Sequence, residues 1–199
     1  MSGMKNTMLV AVVLVSMAAV SLEAAEKGVA VFGDSFDTGM TFAEWWDAQG
    51  VANGADGTAN LEAGARIAWR GACPLEAICE VTVKVPEKGW AGIVVDGASC
   101  AVEAKGKAFA LYRGLDGKSA NVGKALADAK PGADVKLRVE RTVAKGFAQY
   151  VFLANGVEIA KWTAKTPAQV KLASGAEAYP TFYLKAAGAK ARFDDFSIS

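Results

Sequence analysis

The 199-residue chain carries 22 Lys and Arg side chains against 21 Asp and Glu, for a formal net charge of +1, and it contains no His. The lack of His excludes Ser-His-Asp catalysis, Cys-His catalysis and every His-ligated metal site. The balanced charges form no long block of one sign. This argues against nucleic acid or an anionic membrane as a partner, because clusters of Lys and Arg dominate such binding.

The first 25 residues have the pattern of a secretory signal peptide. Lys5 precedes an apolar run over residues 8–20 in which Ser16 is the one polar residue, and small and polar residues follow it. A membrane-spanning helix needs roughly 20 apolar residues, and this run is shorter. We expect cleavage at residues 21–25, no membrane span, and a protein that is secreted or periplasmic. The remaining ~175 residues, 26–199, fit one domain.

The beginning of the mature chain predicts short strands separated by turns. Val29–Asp37 is a predicted strand that enters a turn at Gly33-Asp34. Gly50–Gly57 contains two turn signals, Asn-Gly and Asp-Gly, and therefore predicts a loop. Leu61–Trp69 predicts a strand with a bend at Gly64.

Cys79–Val85 predicts a strand with Val81, Val83 and Val85 on one face. Turn signals then separate three more predicted strands, at Trp90–Val95, Ser99–Ala104 and Lys107–Arg113. The Ala-rich segment Val122–Lys130 is different, because it predicts a short helix or an irregular loop that ends at Pro131-Gly132.

The clearest local structure is an antiparallel meander from Val135 to Trp162. It begins with strict alternation in VKLRVE and continues into two apolar runs joined by Asn155-Gly156. This dipeptide favours the positive φ angles of a type I′ turn, so it is the strongest short-range hairpin signal.

The closing segment, Ala191–Ile198, predicts a strand with an irregularity. Strict alternation would place Phe193 and Phe196 on opposite faces. A bulge at Asp194-Asp195 would bring both rings into the core, and burying each ring is worth roughly 2–3 kcal/mol. We therefore expect the bulge, in a final strand at a sheet edge or rim. Together with strands near residues 170–173 and 181–187, the pattern predicts an all-β sandwich or barrel of antiparallel sheets.

Three motifs resemble a known superfamily: DSFD at Asp34–Asp37, LRVER followed by YVFLANGVEIA, and the closing RFDDFSI. They are similar to motifs of the concanavalin A-like lectin/glucanase superfamily, in its laminin-G-like and 3-keto-disaccharide hydrolase-like branches. The resemblance implies a two-sheet antiparallel jelly-roll sandwich with its first and last strands side by side. It also implies that carbohydrate binds on the concave sheet or the rim loops.

The glucanase branch carries E-x-D-x-E or E-x-D-x-x-E on a strand, where alternation projects the carboxylates from one face. Neither spacing occurs in this chain, so we assign no catalytic residue. The expected function is a non-catalytic module that binds a polysaccharide or glycan, or a cell-surface partner. The alternatives are a glycoside-processing hydrolase of the same superfamily and an assembly subunit whose strand edges pair with other chains.

The aromatic residues are the candidate ligand-binding residues. Sugar rings stack on flat aromatic faces, so Trp45, Trp46 and Trp90 are predicted platforms, although buried aromatics are also the ordinary way to fill a sandwich. Tyr112, at a strand end, adds a polar handle for the ligand. Adjacent strand residues point to opposite faces. One ring of the pair Trp45-Trp46 is therefore expected to be exposed or capped by a loop.

Four acidic residues are candidates for a structural calcium site. The expected closeness of the first and last strands would bring together Asp34, Asp37, Asp194 and Asp195. Calcium prefers several oxygen ligands, including carboxylates. The alternative is that these side chains hydrogen-bond their own backbone in turns and bulges. No other cofactor is expected.

Three cysteines, Cys73, Cys79 and Cys100, would meet an oxidising compartment. An odd number allows one intramolecular disulfide and leaves one thiol, and the spacing does not choose among the three pairings. Cys73 and Cys79 flank a short turn that contains Pro74, while Cys79 and Cys100 lie in segments that could be neighbours in one sheet. A remaining thiol is expected to be buried and inert.

Overall fold

The computed structural model describes residues 32–34, 36, 46–50, 52–55, 57–70, 74–113, 119–126, 129–167, 170–171, 177–178 and 181–199. These residues form seventeen β-strands and no helix: β1 Phe32–Asp34, β2 Trp46–Gln49, β3 Ala52–Ala55, β4 Thr58–Leu61, β5 Arg66–Trp69, β6 Ala77–Lys84, β7 Trp90–Val95, β8 Ala98–Glu103, β9 Lys107–Arg113, β10 Ser119–Ala125, β11 Asp134–Ala144, β12 Phe147–Ala154, β13 Val157–Pro167, β14 Val170–Lys171, β15 Glu177–Ala178, β16 Phe182–Ala187 and β17 Ala191–Ile198. The described part of the chain thus lacks any helix of the length and apolarity that a membrane crossing requires.

Two antiparallel sheets contain fifteen of these strands. The first sheet has the order β13-β12-β11-β6-β17-β4-β3, and β1 also pairs with β17. The second sheet has the order β10-β9-β8-β7-β16-β5-β2, while β14 and β15 form a separate pair. The predicted all-β jelly-roll sandwich is confirmed.

The core lies between the inner faces of the two sheets. In β6 and in most of β11 every second residue is buried, which places Val81, Val83, Leu137 and other apolar side chains on the inner face. The second sheet contributes the alternate residues of its own strands to the same cluster, including Ile93. Each fully buried side chain of this size stabilises the fold by about 1.5–3 kcal/mol.

The predicted bulge in β17 is present. The register of β17 against β6 shifts between Asp194 and Ser197, and Asp195 has a φ of 47°. Phe193 is 0% exposed and Phe196 is 2% exposed, so both rings reach the core.

The position of β17 differs from the prediction, because this strand is central and not at an edge. It lies between β6 on one side and β4 and β1 on the other. Residues 191–193 pair with β4, and residues 196–198 pair with β1. The bulge therefore falls where β17 changes partner. The pairing with β1 confirms that the first and last strands lie side by side.

The turns predicted at the Asn-Gly and Asp-Gly dipeptides of two hairpins are confirmed. Asn155 and Gly156 have φ angles of 48° and 74°, and Asp96 and Gly97 have φ angles of 48° and 82°. Both hairpins thus have the positive φ angles that type I′ turns need.

Three predicted segments are wrong. The expected loop Gly50–Gly57 contains β3, which forms a hairpin with β4. The expected single strand Leu61–Trp69 divides into β4 and β5, which belong to different sheets. The expected helix or loop Val122–Lys130 begins inside β10, which pairs with β9 over seven residues. In each case pairing with a neighbouring strand outweighs local propensity.

Candidate functional site

The outer face of the second sheet is apolar and nearly dry at its centre. Core residues such as Ile93 and Cys100 alternate along their strands with Val94 and Ala101, which therefore point away from the core. Val94 is nevertheless only 2% exposed, Ala101 0% and Phe109 6%. We call this surface, with the aromatic and charged side chains around it, the aromatic face.

The floor of the aromatic face requires a glycine. A Cβ added to Gly92 would lie 2.1 Å from the carbonyl oxygen of Cys100 and 2.5 Å from Cα of Ala101. Gly92 also pairs with Lys185 on β16 and with Ala101 on β8. The small residues bring the strand backbones close together and leave the larger rings standing at the sides.

Trp90 is the first of these rings, and it is half-buried. The Trp90 and Phe109 rings make an edge-to-face contact, with ring centroids 5.9 Å apart and an interplanar angle of 86°. The ammonium of Lys185 lies 5.6 Å from the Trp90 ring centroid. A cation in this position is attracted to the ring and holds its orientation.

Tyr183 on β16 is the second ring, and it is also half-buried. The guanidinium of Arg66 lies 5.2 Å from the ring centroid, and Arg66 Nε donates a hydrogen bond of 2.8 Å to Gln49 Oε1. Tyr183 pairs with Val94, four residues along β7 from Trp90. At ~3.3 Å per residue and ~4.8 Å between strands, the two rings are roughly 14 Å apart.

Two carboxylates are described on the aromatic face. Asp47 forms an ion pair of 2.7 Å with Arg70. Glu103 lies on β8, four strands from β2 in the sheet order. Four strand spacings amount to roughly 19 Å, whereas the carboxylates of glycosidases lie about 5–10 Å apart. These two residues therefore do not form a glycoside-cleaving pair.

The predicted aromatic platforms have different positions. Trp90 is on the aromatic face, whereas Trp46 is 2% exposed and packs in the core, 5.0 Å from Phe196 between ring centroids. Its burial leaves no ring face for a ligand, so Trp46 does not have the predicted role. Trp45 lies outside the described residues.

Tyr112 is on the inner side of the second sheet and does not reach the aromatic face. Its ring stacks on Trp162 with centroids 4.9 Å apart, and Trp162 in turn stacks on Tyr150 at 5.1 Å. This stack joins β9 to β12 and β13 across the space between the sheets. The Trp162 ring covers one face of Tyr112, which is half-buried, and a ligand-binding role for Tyr112 stays a prediction.

A buried ion pair lies beside this stack. Arg141 is 3% exposed, and its Nε donates a hydrogen bond of 3.0 Å to Asp96 Oδ2. The same carboxylate accepts hydrogen bonds from Tyr150 OH at 2.7 Å and from the Thr181 amide at 3.1 Å. Burial is the main cause, and the hydrogen bond to the Asp96 carboxylate a second one, of a Tyr150 hydroxyl pKa far above its ordinary value. Arg141 also donates to the carbonyl of Leu75, so the cluster fixes three segments together.

Two of the predicted calcium ligands have described side chains. Asp194 Oδ1 accepts a hydrogen bond of 2.8 Å from the Asp195 amide inside the bulge. Asp34 pairs with Phe196 through its backbone, next to the bulge, while the Asp34 side chain and Asp37 lie outside the described residues. Among the described residues no group of three or more acidic, Cys or His side chains could hold a metal ion. Calcium binding at this place stays a prediction.

Cys79 on β6 and Cys100 on β8 are buried and belong to different sheets, so the possibility that their segments are neighbours in one sheet is not realised. The Cys100 thiol lies 3.6 Å from the Leu153 carbonyl of the facing sheet. Burial raises the pKa of this thiol to about 12. A thiol that stays protonated is a poor nucleophile, which agrees with the expected inert role. Cys73 lies outside the described residues.

The sequence analysis did not identify Tyr183, Lys185 and Arg66. A signal for two of them exists, because alternation in Phe182–Ala187 places Tyr183 and Lys185 on the same face. No local pattern connects them to Arg66, which joins them only through pairing of β5 with β16.

No protein-family model matches this sequence, and no curated protein matches it significantly. Solved structures match most of the chain. A variant of LamA from Z. galactanivorans, in complex with laminaritriose and laminaritetraose, has 13% identity and a TM-score of 0.61, and the match covers 85% of this chain and 98% of that one. SCLam, a non-specific endo-β-1,3(4)-glucanase from family GH16, has 12% identity and a TM-score of 0.60 over 85% of this chain and 89% of its own.

A protein of unknown function with a galectin-like fold, from Bacillus subtilis, has 13% identity and a TM-score of 0.54 over 86% of this chain and 96% of its own. All three are concanavalin A-like sandwiches. The chain therefore has the concanavalin A-like jelly-roll fold that its three short motifs predicted.

Proposed function

We propose that this protein is a secreted module that binds a polysaccharide on the aromatic face. The observation that carries the proposal is the pair of half-buried rings, Trp90 and Tyr183, that stand on one side of a sheet around a floor of small residues. Sugar rings have flat apolar faces that stack on aromatic side chains, and a spacing of roughly 14 Å between the rings suits an extended chain of several sugar units.

Polar groups around the rings would bind the hydroxyls of the sugar. Gln49 and Arg66 lie beside Tyr183, and Lys185 and Glu103 lie beside Trp90. A few polar groups that converge on an apolar surface are typical of small-molecule and glycan sites, because they give specificity. Similar solved structures in complex with laminari-oligosaccharides and with agaro-octaose add support at the level of the fold.

Glycoside hydrolysis is the second candidate function. It is favoured by the similar structures, several of which are glucanases of the same fold. Cleavage would need two converging carboxylates, and Asp47 and Glu103 are too far apart to supply them. For this reason we place binding first.

The test is calorimetric titration of the mature domain with laminarin, lichenan and agarose oligosaccharides, with a parallel assay of reducing ends. We expect Trp90→Ala and Tyr183→Ala each to weaken binding by about tenfold, because a stacked ring is worth about 1.5 kcal/mol at most beyond its burial. Phe147→Ala is the matched control, since Phe147 is 39% exposed and lies on the first sheet.

Equal losses in Trp90→Ala and Phe147→Ala would contradict the aromatic face as the binding site. Release of reducing ends by the native domain would replace binding with hydrolysis as the function. If none of the three glycans binds, the proposal that the aromatic face binds a neutral polysaccharide is contradicted.

A further inference from the structure

A separate cleft of about 820 Å³ lies at one end of the sandwich. Its walls are the β6–β7 turn, the β16–β17 turn and the segments around residues 61 and 131. Its strand residues Asn60, Lys84 and Arg192 alternate with core residues of the first sheet, so they belong to the outer side of that sheet. The cleft is therefore distinct from the aromatic face.

Two cations lie directly opposite each other in this cleft. Arg192 on β17 pairs with Lys84 on β6 and, on its other side, with Asn60 on β4. Like charges in directly opposite positions destabilise a sheet. Lys84 is compensated by Asp134, at 3.0 Å. Arg192 is exposed and forms no ion pair with any described residue.

The rest of the lining leaves a positive excess. Four cations, Lys84, Lys88, Lys190 and Arg192, face two carboxylates, Glu62 and Glu87. Lys190 and Glu62 form an ion pair of 2.7 Å. Among the described residues Lys88 has no ion-pair partner, although Glu87 precedes it in the same turn. Arg192 and Lys88 are thus the cations that are free to bind a ligand.

The walls of the cleft are fixed by backbone contacts. The amide of Val85 donates to the Ala133 carbonyl at 2.8 Å, and the amide of Gly132 donates to the Val85 carbonyl at 2.9 Å. Gly89 packs so closely on residues 187–188 that an added Cβ would lie 1.7 Å from the Ala187 carbonyl oxygen. A rigid wall lowers the entropy cost of binding because its groups are already in position.

We infer that this cleft binds an anionic group, a carboxylate or a sulfate ester, carried by a charged polysaccharide. Arg192 is the principal donor, because its planar guanidinium matches two oxygens of either group, and Lys88 provides further positive charge. The anion site follows from the cleft itself, whereas the polysaccharide as its carrier rests on the proposed function.

The test is calorimetric titration with dextran sulfate and polygalacturonate, with uncharged dextran as the reference. We expect Arg192→Gln to weaken binding of both polyanions by about tenfold, because hydrogen bonds to charged groups are the strong ones. Glu87→Gln is expected to strengthen binding by about twofold, because it removes a like charge to the ligand. The control is Lys145→Gln, an equal loss of charge in the exposed β11–β12 turn at the other end of the sheet.

Equal losses in Arg192→Gln and Lys145→Gln would overturn the site, since binding would then follow net charge alone. If inorganic sulfate binds as tightly as dextran sulfate, when both are counted per sulfate group, the polysaccharide is not needed as a carrier and that part of the inference is overturned. A failure of the anion site can be told apart from a failure of the proposed function. Binding of neutral glycans depends on Trp90, and selective loss of polyanion binding in Arg192→Gln supports the cleft even if no neutral glycan binds.

Discussion

The outer faces of the two sheets are made by the same alternation of residues, but their chemistry differs. On the first sheet Glu80 pairs with Lys136 at 3.0 Å and with Arg138 at 3.4 Å, and Arg138 also pairs with Glu140 at 2.7 Å. Such half-exposed ion pairs contribute about 0–1 kcal/mol each. On the second sheet Val94, Ala101 and Phe109 are buried although they point away from the core. The first face is a solvated, charged surface, whereas the second is apolar and nearly dry at its centre.

The largest expected effect is on the free energy of unfolding, when a side chain is enlarged on the outer face of one sheet or the other. Gly92→Val would push its Cβ into the backbone of β8, at 2.1 Å from the Cys100 carbonyl oxygen, so we expect the free energy of unfolding to fall by about 4 kcal/mol. Thr82→Val, in the middle of β6 on the outer face of the first sheet, is expected to change it by less than about 0.5 kcal/mol. Urea denaturation of both variants measures the difference, and similar losses in the two would contradict the close approach of strands at Gly92.

A second prediction compares a charge that faces the core with charges on the outer face. Asp96→Ala would remove the carboxylate that accepts hydrogen bonds from Arg141, which is 3% exposed, from Tyr150 and from Thr181, so we expect a loss of about 3 kcal/mol. Glu80→Ala removes two ion pairs of the first sheet and is expected to cost less than about 1 kcal/mol, falling further in high salt. Thermal unfolding at low and high salt distinguishes the two. An Asp96→Ala loss as small as that of Glu80→Ala would contradict a stabilising role for the hydrogen bonds to Asp96.

The smallest predicted effect is a pH dependence of the free energy of unfolding, which tests the burial of the Cys100 thiol between the sheets. Burial raises the pKa of the Cys100 thiol from its ordinary value of 9.0 to about 12. Above pH 9 the unfolded chain loses this proton while the folded protein keeps it, so the free energy of unfolding falls as pH rises, by up to about 1.4 kcal/mol per pH unit. Below pH 9 the thiol has no such effect.

The measurement is urea denaturation of the native protein and of Cys100→Ala between pH 9 and 10, where the Tyr150 hydroxyl, with its ordinary pKa of 10.0, contributes equally to both. Cys100→Ala is expected to have a shallower dependence on pH than the native protein. Parallel curves for the two proteins would contradict the burial of this thiol between the sheets.

Local signals were sufficient for much of the fold. Asn155-Gly156 and Asp96-Gly97 determine their own φ angles, and alternation in β6 and β11 gives the buried face directly. The bulge in β17 was predictable because two phenylalanines had to reach one core. Each of these features depends on residues that are close in sequence.

The errors concern pairing between strands, which the local composition does not reveal. The start of the Ala-rich segment Val122–Lys130 is a strand because β9 pairs with it, and β17 is central because β4 and β1 pair with its far side. The aromatic face was only partly predicted for the same reason. Trp90 is visible in sequence as an aromatic residue, but its relation to Tyr183 and Arg66 exists only after β5, β16 and β7 are aligned.

The central place of β17 has a consequence for how the chain folds. Its eight residues connect the strands β13, β12, β11 and β6 to β4, β3 and β1 within one sheet. Of all described strands it leaves the ribosome last, so the two halves of the first sheet remain unjoined until synthesis has passed residue 198. Contacts between residues as distant as Phe32 and Ile198 also carry a large loop-closure cost, which makes folding slow, on the order of milliseconds to seconds. During this time the edges of β6 and β4 are open to other chains, and arrival of β17 closes both at once.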